Sequence, residues 1–208
     1  MINNLGYRIT KRTLDLVVSV MTLFLFSPIL IIIALLVRYK LGSPVFFRQE
    51  RAGLNGVPFN ICKFRTMTNT TDTHGELLPD ADRLLPFGQF LRRTSLDELP
   101  QLFNVVRGDM SIVGPRPLFG RYIPLYTERQ RRRLEVKPGI TGLAQISGRN
   151  TLSWDNKFNM DVCYVENASF FGDLSILART ISKVLCRSGI SQEGHATMPE
   201  FMGHEEDD

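Results

Sequence analysis

Two acidic residues stand side by side at Asp97-Glu98, inside Ser95-Leu96-Asp97-Glu98-Leu99-Pro100-Gln101. Ser95 followed by Glu98 three positions later has capping-box spacing, and the apolar residues that follow (Leu99, Leu102, Phe103, Val105, Val106) run to Gly108. The spacing predicts a helix that begins at Ser95, with Glu98 capping its first turn. A helix start also carries free N–H groups and the positive end of the dipole, which favour ionised carboxylates and a nearby phosphate. Paired carboxylates there suit a Mg²⁺ ligand or a carboxylate nucleophile. Capping and chemistry both fit at this point.

Cations surround the pair in sequence. Arg116 lies between prolines in Gly114-Pro115-Arg116-Pro117, where two fixed φ angles present its planar fork at little ordering cost. The structural alternative is a rigid surface turn with a solvated arginine. Arg92 and Arg93 precede the acids, and Lys63 sits among apolar residues of a predicted strand, where it either blunts an edge or meets an anion. Pro138 to Asn150 is glycine-rich and offers backbone to a nucleotide, yet matches neither a Walker A nor a dinucleotide fingerprint. The basic stretch Arg129 to Arg133 lacks interleaved aromatics, so a solvated or headgroup-facing helix surface is expected and nucleic acid is not a partner. His74, His195 and His204 lack metal-ligand spacing, and the three cysteines, Cys62, Cys163 and Cys186, form no CxxC, which fits a reducing compartment.

The elements that must position these groups begin with an apolar run. The 22 residues Leu16–Val37 carry no formal charge and as a straight helix would measure roughly 33 Å, about one hydrocarbon core. Cations flank both ends (Arg8, Lys11 and Arg12; Arg38 and Lys40), and Ser27-Pro28 breaks the middle. Positive residues on both flanks ask for the same membrane side, so a re-entrant helix-break-helix is expected, with Ser27 bonding a freed carbonyl. Beyond it, Val45–Phe47 and Phe59–Phe64 around Asn55-Gly56 predict a β-hairpin. Residues 68–82 predict a polar loop, 87–93 a short helix, 110–113 a strand, 123–136 a basic helix and 173–187 a final amphipathic helix. The expected fold is α+β and helix-dominated, with 1–40 a membrane anchor, 41–194 a cytoplasmic catalytic domain and 195–208 a flexible, acidic-ended tail. Across 208 residues the net charge of +4 suits anionic partners.

In their order, Lys11-Arg12 with Asp15, Ser27-Pro28, Lys63-Phe64-Arg65-Thr66-Met67, Ser95 to Asn104, Gly108-Asp109-Met110-Ser111, Gly114-Pro115-Arg116-Pro117 and Pro138-Gly139-Ile140-Thr141-Gly142 form a pattern. The chain from about Lys11 to Gly194 thereby resembles the monotopic bacterial phosphoglycosyl transferases, which move a sugar-1-phosphate from a UDP-sugar to undecaprenyl phosphate at the inner membrane. The resemblance implies Asp97 as the nucleophile of a ping-pong reaction through a phospho-aspartyl intermediate that expels UMP, and Glu98 with Asp97 as Mg²⁺ ligands. It implies Lys63, Arg92, Arg116 and Arg149 as phosphate-binding groups, and Asp161 and Asp173 as further site acids. The tail Ser188 to Thr197 looks like the branch that uses UDP-N,N'-diacetylbacillosamine, which implies that or another UDP-N-acetylamino sugar as donor. Two alternatives stay open: direct attack by the lipid phosphate in a ternary complex, and a non-catalytic scaffold whose basic helix binds anionic lipid.

Overall fold

The structure, a computed structural model, describes residues 5–148, 152–185 and 200–203. Arg149, Cys186 and the tail Ser188 to Thr197 lie outside the described residues.

Two helices open the chain, α1 (Leu5–Leu25) and α2 (Ser27–Lys40), bent by 65° at Phe26. Pro28 falls in the first turn of α2, where its missing N–H has no helical partner to lose. The Ser27 hydroxyl donates to the Phe24 carbonyl at 2.8 Å, the satisfaction of a freed backbone oxygen that the sequence suggested. Neither helix alone is long and apolar enough to cross a membrane; the bent pair passes by length and composition together. Val20, Met21, Phe24, Leu25, Ile32 and Leu35 are exposed along the pair.

The first half of α1 is bound into the rest of the fold by polar contacts. Buried Asp15 accepts from the Ile112 N–H at 3.0 Å and from the Ser111 hydroxyl at 3.1 Å. Asp173 accepts from Lys11 (2.9 Å), Tyr7 (3.0 Å) and Tyr164 (2.8 Å). Arg12 donates to the carbonyls of Val105 and Val106, at the end of a helix whose dipole favours a cation. Ile33, Val37 and Leu41 bring α2 against Phe64 and Leu91.

The hairpin forms as expected, with β1 (Phe46–Ala52) antiparallel to β2 (Pro58–Phe64) and Phe46 opposite Phe64. Asn55 (φ 55°) and Gly56 (φ 78°) both take the left-handed region, which the pair Asn-Gly tolerates at low strain. The polar loop carries α3 (Asp80–Arg83), and α4 (Pro86–Thr94) matches the short helix expected there.

The central helix differs from expectation. Ser95 is itself left-handed (φ 56°) and closes α4; Leu96–Glu98 is a 3-10 turn, and α5 runs only from Gln101 to Arg107. Pro100 lacks an N–H and leads α5, so regular i to i−4 bonding starts after it. The capping box is therefore absent: Glu98 bonds side chains elsewhere, and only its backbone N–H reaches the Ser95 carbonyl.

The strand β3 (Ser111–Val113) pairs in parallel with β4 (Gly139–Thr141), which lies inside the glycine-rich stretch and leads to α7 (Leu143–Ser147). The basic segment is three pieces, a 3-10 turn Gly120–Leu125, α6 (Glu128–Arg131) and a 3-10 turn Arg132–Glu135. Pro124 interrupts the first, and a capping box between Thr127 and Gln130 restarts the chain as α6. Two helices complete the fold: α8 (Trp154–Asn167), absent from the sequence reading, and α9 (Phe170–Leu185), which starts before Asp173. The class is α+β and helix-dominated, as the sequence indicated.

Candidate active site

Asn104 fixes the site's frame. Its amide oxygen accepts the Cys62 N–H at 3.0 Å, and its nitrogen donates to the Asn60 carbonyl at 2.8 Å and Asp109 at 3.2 Å. These bonds clamp α5 to β2 and so bring the turn Leu96–Glu98 beside Lys63.

Glu98 is the meeting point. Lys63 Nζ donates to its Oε1 at 2.6 Å, and Arg116 Nη2 donates to the same oxygen at 2.9 Å. Burial alone would raise the Glu98 pKa; the charges of Arg116 and Lys63 outweigh it and hold the carboxyl well below the usual range. Lys63 is thus an anion partner and the edge-blunting reading fails. The Gly114 to Pro117 segment is likewise more than a solvated turn.

Asp97 has the opposite surroundings. It is 8% exposed, and no hydrogen bond reaches its carboxylate among the described residues. Burial, then the charge on Glu98, lift its pKa from 3.8 to about 6, against the opposing charges of Lys63, Arg92 and Arg116. Arg92 is held by Nε donating to the Thr66 hydroxyl at 3.0 Å.

More positive charge lies beside Arg116 than the sequence revealed. Burial and then the Arg116 charge bring Lys157 on α8 down to about 8 and Arg51 on β1 down to about 10. Arg51 stacks over the Phe119 ring at 3.5 Å. Like charges gathered at one place leave a site that favours an anion.

Asp161 and Asp173 stand apart from this cluster. Asp173 is the junction between α1 and α9 described above. Asp161 accepts from Arg133 Nε at 3.0 Å and Nη2 at 2.8 Å, and both residues are buried. Arg133 also donates to the Arg116 carbonyl at 2.6 Å, so the pair reaches the site through Arg116's backbone. Sequence alone places Arg129 to Arg133 on a solvated or headgroup-facing surface; Arg129 and Arg131 are exposed, whereas Arg133 is 3% exposed. Its partner is distant in sequence, and only its position three residues after buried Gln130 hints at an inward face.

The glycines of Pro138 to Gly142 serve the same loop. A Cβ on Gly139 would sit 2.1 Å from the Gly114 nitrogen, and one on Gly142 would sit 2.1 Å from the Gly114 oxygen. Backbone approaches backbone here, and these glycines seat Gly114 to Pro117.

Among the described residues no group of three or more His, Cys, Asp or Glu side chains could hold a metal. Adjacent Asp97 and Glu98 nevertheless fit Mg²⁺, an ion that takes one or two carboxylates together with substrate phosphates and water. The arrangement offers an unbonded carboxylate, a second kept ionised, and cations for phosphate oxygens. It suits attack on a phosphorus atom.

The family described as bacterial sugar transferase matches residues 6–187. The chain is 55% identical over 195 residues to an uncharacterized sugar transferase, EpsL, of Bacillus subtilis (strain 168), covering 94% of this chain and 96% of that protein. It is 40% identical over 187 residues to the UDP-glucose:undecaprenyl-phosphate glucose-1-phosphate transferase of Caulobacter vibrioides, covering 84% of this chain and 69% of that protein. Similarity to the undecaprenyl-phosphate galactose phosphotransferase of Salmonella typhimurium is 39% identity over 210 residues, 90% of this chain and 43% of that protein.

Proposed function

This chain belongs to the bacterial sugar transferase family, and from that premise we propose that it transfers a sugar-1-phosphate from a UDP-sugar to undecaprenyl phosphate. The observation that carries the reading is buried Asp97, whose carboxylate accepts no hydrogen bond among the described residues, next to a Glu98 held ionised by Lys63 and Arg116.

The proposed route is ping-pong. An Asp97 carboxylate oxygen attacks the phosphorus that bears the sugar. An O–P bond forms, the bridging P–O bond to the nucleotide phosphate breaks, and UMP leaves with that electron pair. An oxygen of the lipid phosphate then attacks the same phosphorus, and the acyl-phosphate bond breaks to return the carboxylate. Lys63, Arg92 and Arg116 hold phosphate oxygens; Lys63 and Arg116 do so from positions that Glu98 sets beforehand. Asp97 and Glu98 would hold Mg²⁺, which when bound neutralises diphosphate charge that would repel the nucleophile. Splitting the transfer through a covalent intermediate lets a soluble donor and a lipid acceptor use one site in turn.

The bent pair α1 and α2 enters and leaves one leaflet, with the catalytic residues on the cytoplasmic face of the inner membrane. The exposed apolar side chains along both helices and the cations at both ends support this. The sugar is tested by a panel of UDP-sugars, UDP-N,N'-diacetylbacillosamine included, scored by UMP release with undecaprenyl phosphate present. Sustained turnover, beyond the first UMP per enzyme, that requires acceptor and vanishes with chelator is expected; a full rate in chelator would contradict the Mg²⁺ assignment.

A further inference from the structure

Residues 200–203 contribute a buried side chain to a site built from the middle of the chain. Phe201 is 4% exposed. Its ring meets Phe158 edge-on at 5.0 Å and lies 5.6 Å from Trp154, 5.8 Å from Tyr122 and 6.2 Å from Tyr126 between centroids. Two of those rings also support Arg133, whose guanidinium carbon is 5.7 Å from the Tyr126 centroid and 5.6 Å from that of Phe158. The Tyr126 hydroxyl accepts from Arg133 Nη1 at 3.2 Å. Arg133 in turn donates to the Arg116 carbonyl at 2.6 Å. One unbroken path of contacts joins Phe201 to the backbone that carries Arg116.

We propose that Phe201 is a positioning residue for the anion site: seated in its aromatic socket, it fixes the rings that hold Arg133, and Arg133 pins the Arg116 carbonyl. The proposal rests on the reading of Arg116 as a phosphate-binding group. The Arg116 side chain is 46% exposed and Glu98 holds its guanidinium from one side, so its reach toward a ligand also depends on the backbone beneath it. Its placement depends on the two flanking prolines and on the pinned carbonyl. Removing Phe201 would open a gap behind Tyr126 and Phe158, admit water toward Arg133 and loosen that pin. The Arg121–Glu200 pair is exposed on both sides and adds little to the docking.

The test compares the full chain in lipid nanodiscs with a chain ending at residue 199 and with Phe201→Ala and Phe201→Leu. Trp154 is the single tryptophan and lines the socket, so its fluorescence reports docking. Affinity for Mg²⁺-UDP, read by titration calorimetry, reports the site. Truncation and Phe201→Ala are expected to shift Trp154 emission to the red and weaken UDP binding about tenfold, with Phe201→Leu recovering most of the loss. In an Arg116→Ala background the truncation should cost little more, because both changes act on one path. Unchanged UDP affinity alongside a shifted Trp154 signal would overturn the proposal, as would an equal loss in the Arg116→Ala background. The point variants carry the same comparison if the truncated chain does not accumulate. A full chain whose UDP binding depends on Phe201 but which releases no UMP from any UDP-sugar would contradict the transferase reading and leave this one standing; no UDP binding by the full chain would overturn both.

Discussion

Asp97 and Glu98 are neighbours on one 3-10 turn, yet they are held in opposite states. Glu98 is kept ionised by Arg116 and Lys63 on a single oxygen, and Asp97, buried beside that charge, is lifted to about 6. Such a division fits the proposed roles, in which Glu98 organises cations and Asp97 reacts.

Replacing Asp97 with Asn should abolish UMP release while leaving the fold intact or firmer. A raised carboxyl pKa means that the folded chain binds more protons than the unfolded chain between about pH 4 and 6, so Asp97 costs stability as pH rises through that window. At pH 8 the variant should gain on the order of 1 kcal/mol, or about 2–4 °C in melting temperature. Differential scanning fluorimetry beside a UMP-release assay reads both. A destabilised variant would mean that Asp97 serves the structure.

The acid limb of kcat/KM should fall near pH 6, where Asp97 of the free enzyme ionises. The largest cause, burial, stays in Glu98→Gln, but the neighbouring negative charge goes and Lys63 and Arg116 are released to act on Asp97. The limb should then move to lower pH in the residual activity. A limb that stays in place would detach the profile from this pair.

Breaking the buried Arg133–Asp161 pair from one side, as in Asp161→Leu, should cost roughly 3–5 kcal/mol, because it strands a buried guanidinium. The double variant Arg133→Met with Asp161→Leu should recover most of that stability. It should still bind UDP less tightly than the native chain, since the Arg116 carbonyl has lost its donor. Thermal melts and titration calorimetry separate the two effects; native affinity in the double variant would remove Arg133 from the path to the site.

Gly139→Ala should disturb the Gly114 to Pro117 loop, since the added methyl would lie 2.1 Å from the Gly114 nitrogen. Overpacking against backbone predicts a loss of roughly 1–3 kcal/mol or more. Chemical denaturation in detergent measures it. A variant of native stability with selectively weakened nucleotide binding would mean that this glycine admits a ligand.

The anchor's orientation is checked by cysteine labelling. Leu5 and Tyr39, at 68% and 86% exposure, lie near opposite ends of the bent pair. Leu5→Cys and Tyr39→Cys should both resist a membrane-impermeant maleimide applied to intact cells and react in inverted vesicles. Labelling of the first from outside would mean a spanning helix.

What could be read from the sequence was local. The hairpin followed from Asn55-Gly56, and the bend from Ser27-Pro28, because each rests on the conformations of two adjacent residues. Ser95 and Glu98 misled for the same reason: their spacing fits a cap, and the decision belonged to Pro100 and to Lys63 and Arg116 across the fold. Helix α8 was obscured by Asp155, Asn156 and Asn159 along a segment whose buried face, Phe158, Val162 and Val165, is narrow. Arg133 looked like its exposed neighbours because the acid that buries it is in α8. Phe201 had no local signal at all, since the rings of its socket come from two separate stretches of chain, Tyr122 and Tyr126 in one and Trp154 and Phe158 in the other.

The covalent step is tested most directly by intact-protein mass spectrometry of the enzyme mixed with Mg²⁺ and UDP-sugar in the absence of lipid acceptor. A burst of UMP and a mass gain of one sugar-phosphate are expected, the gain located on the peptide that contains Asp97 and missing from Asp97→Asn. An unmodified enzyme that releases UMP only once undecaprenyl phosphate is added, at a normal rate, would contradict it.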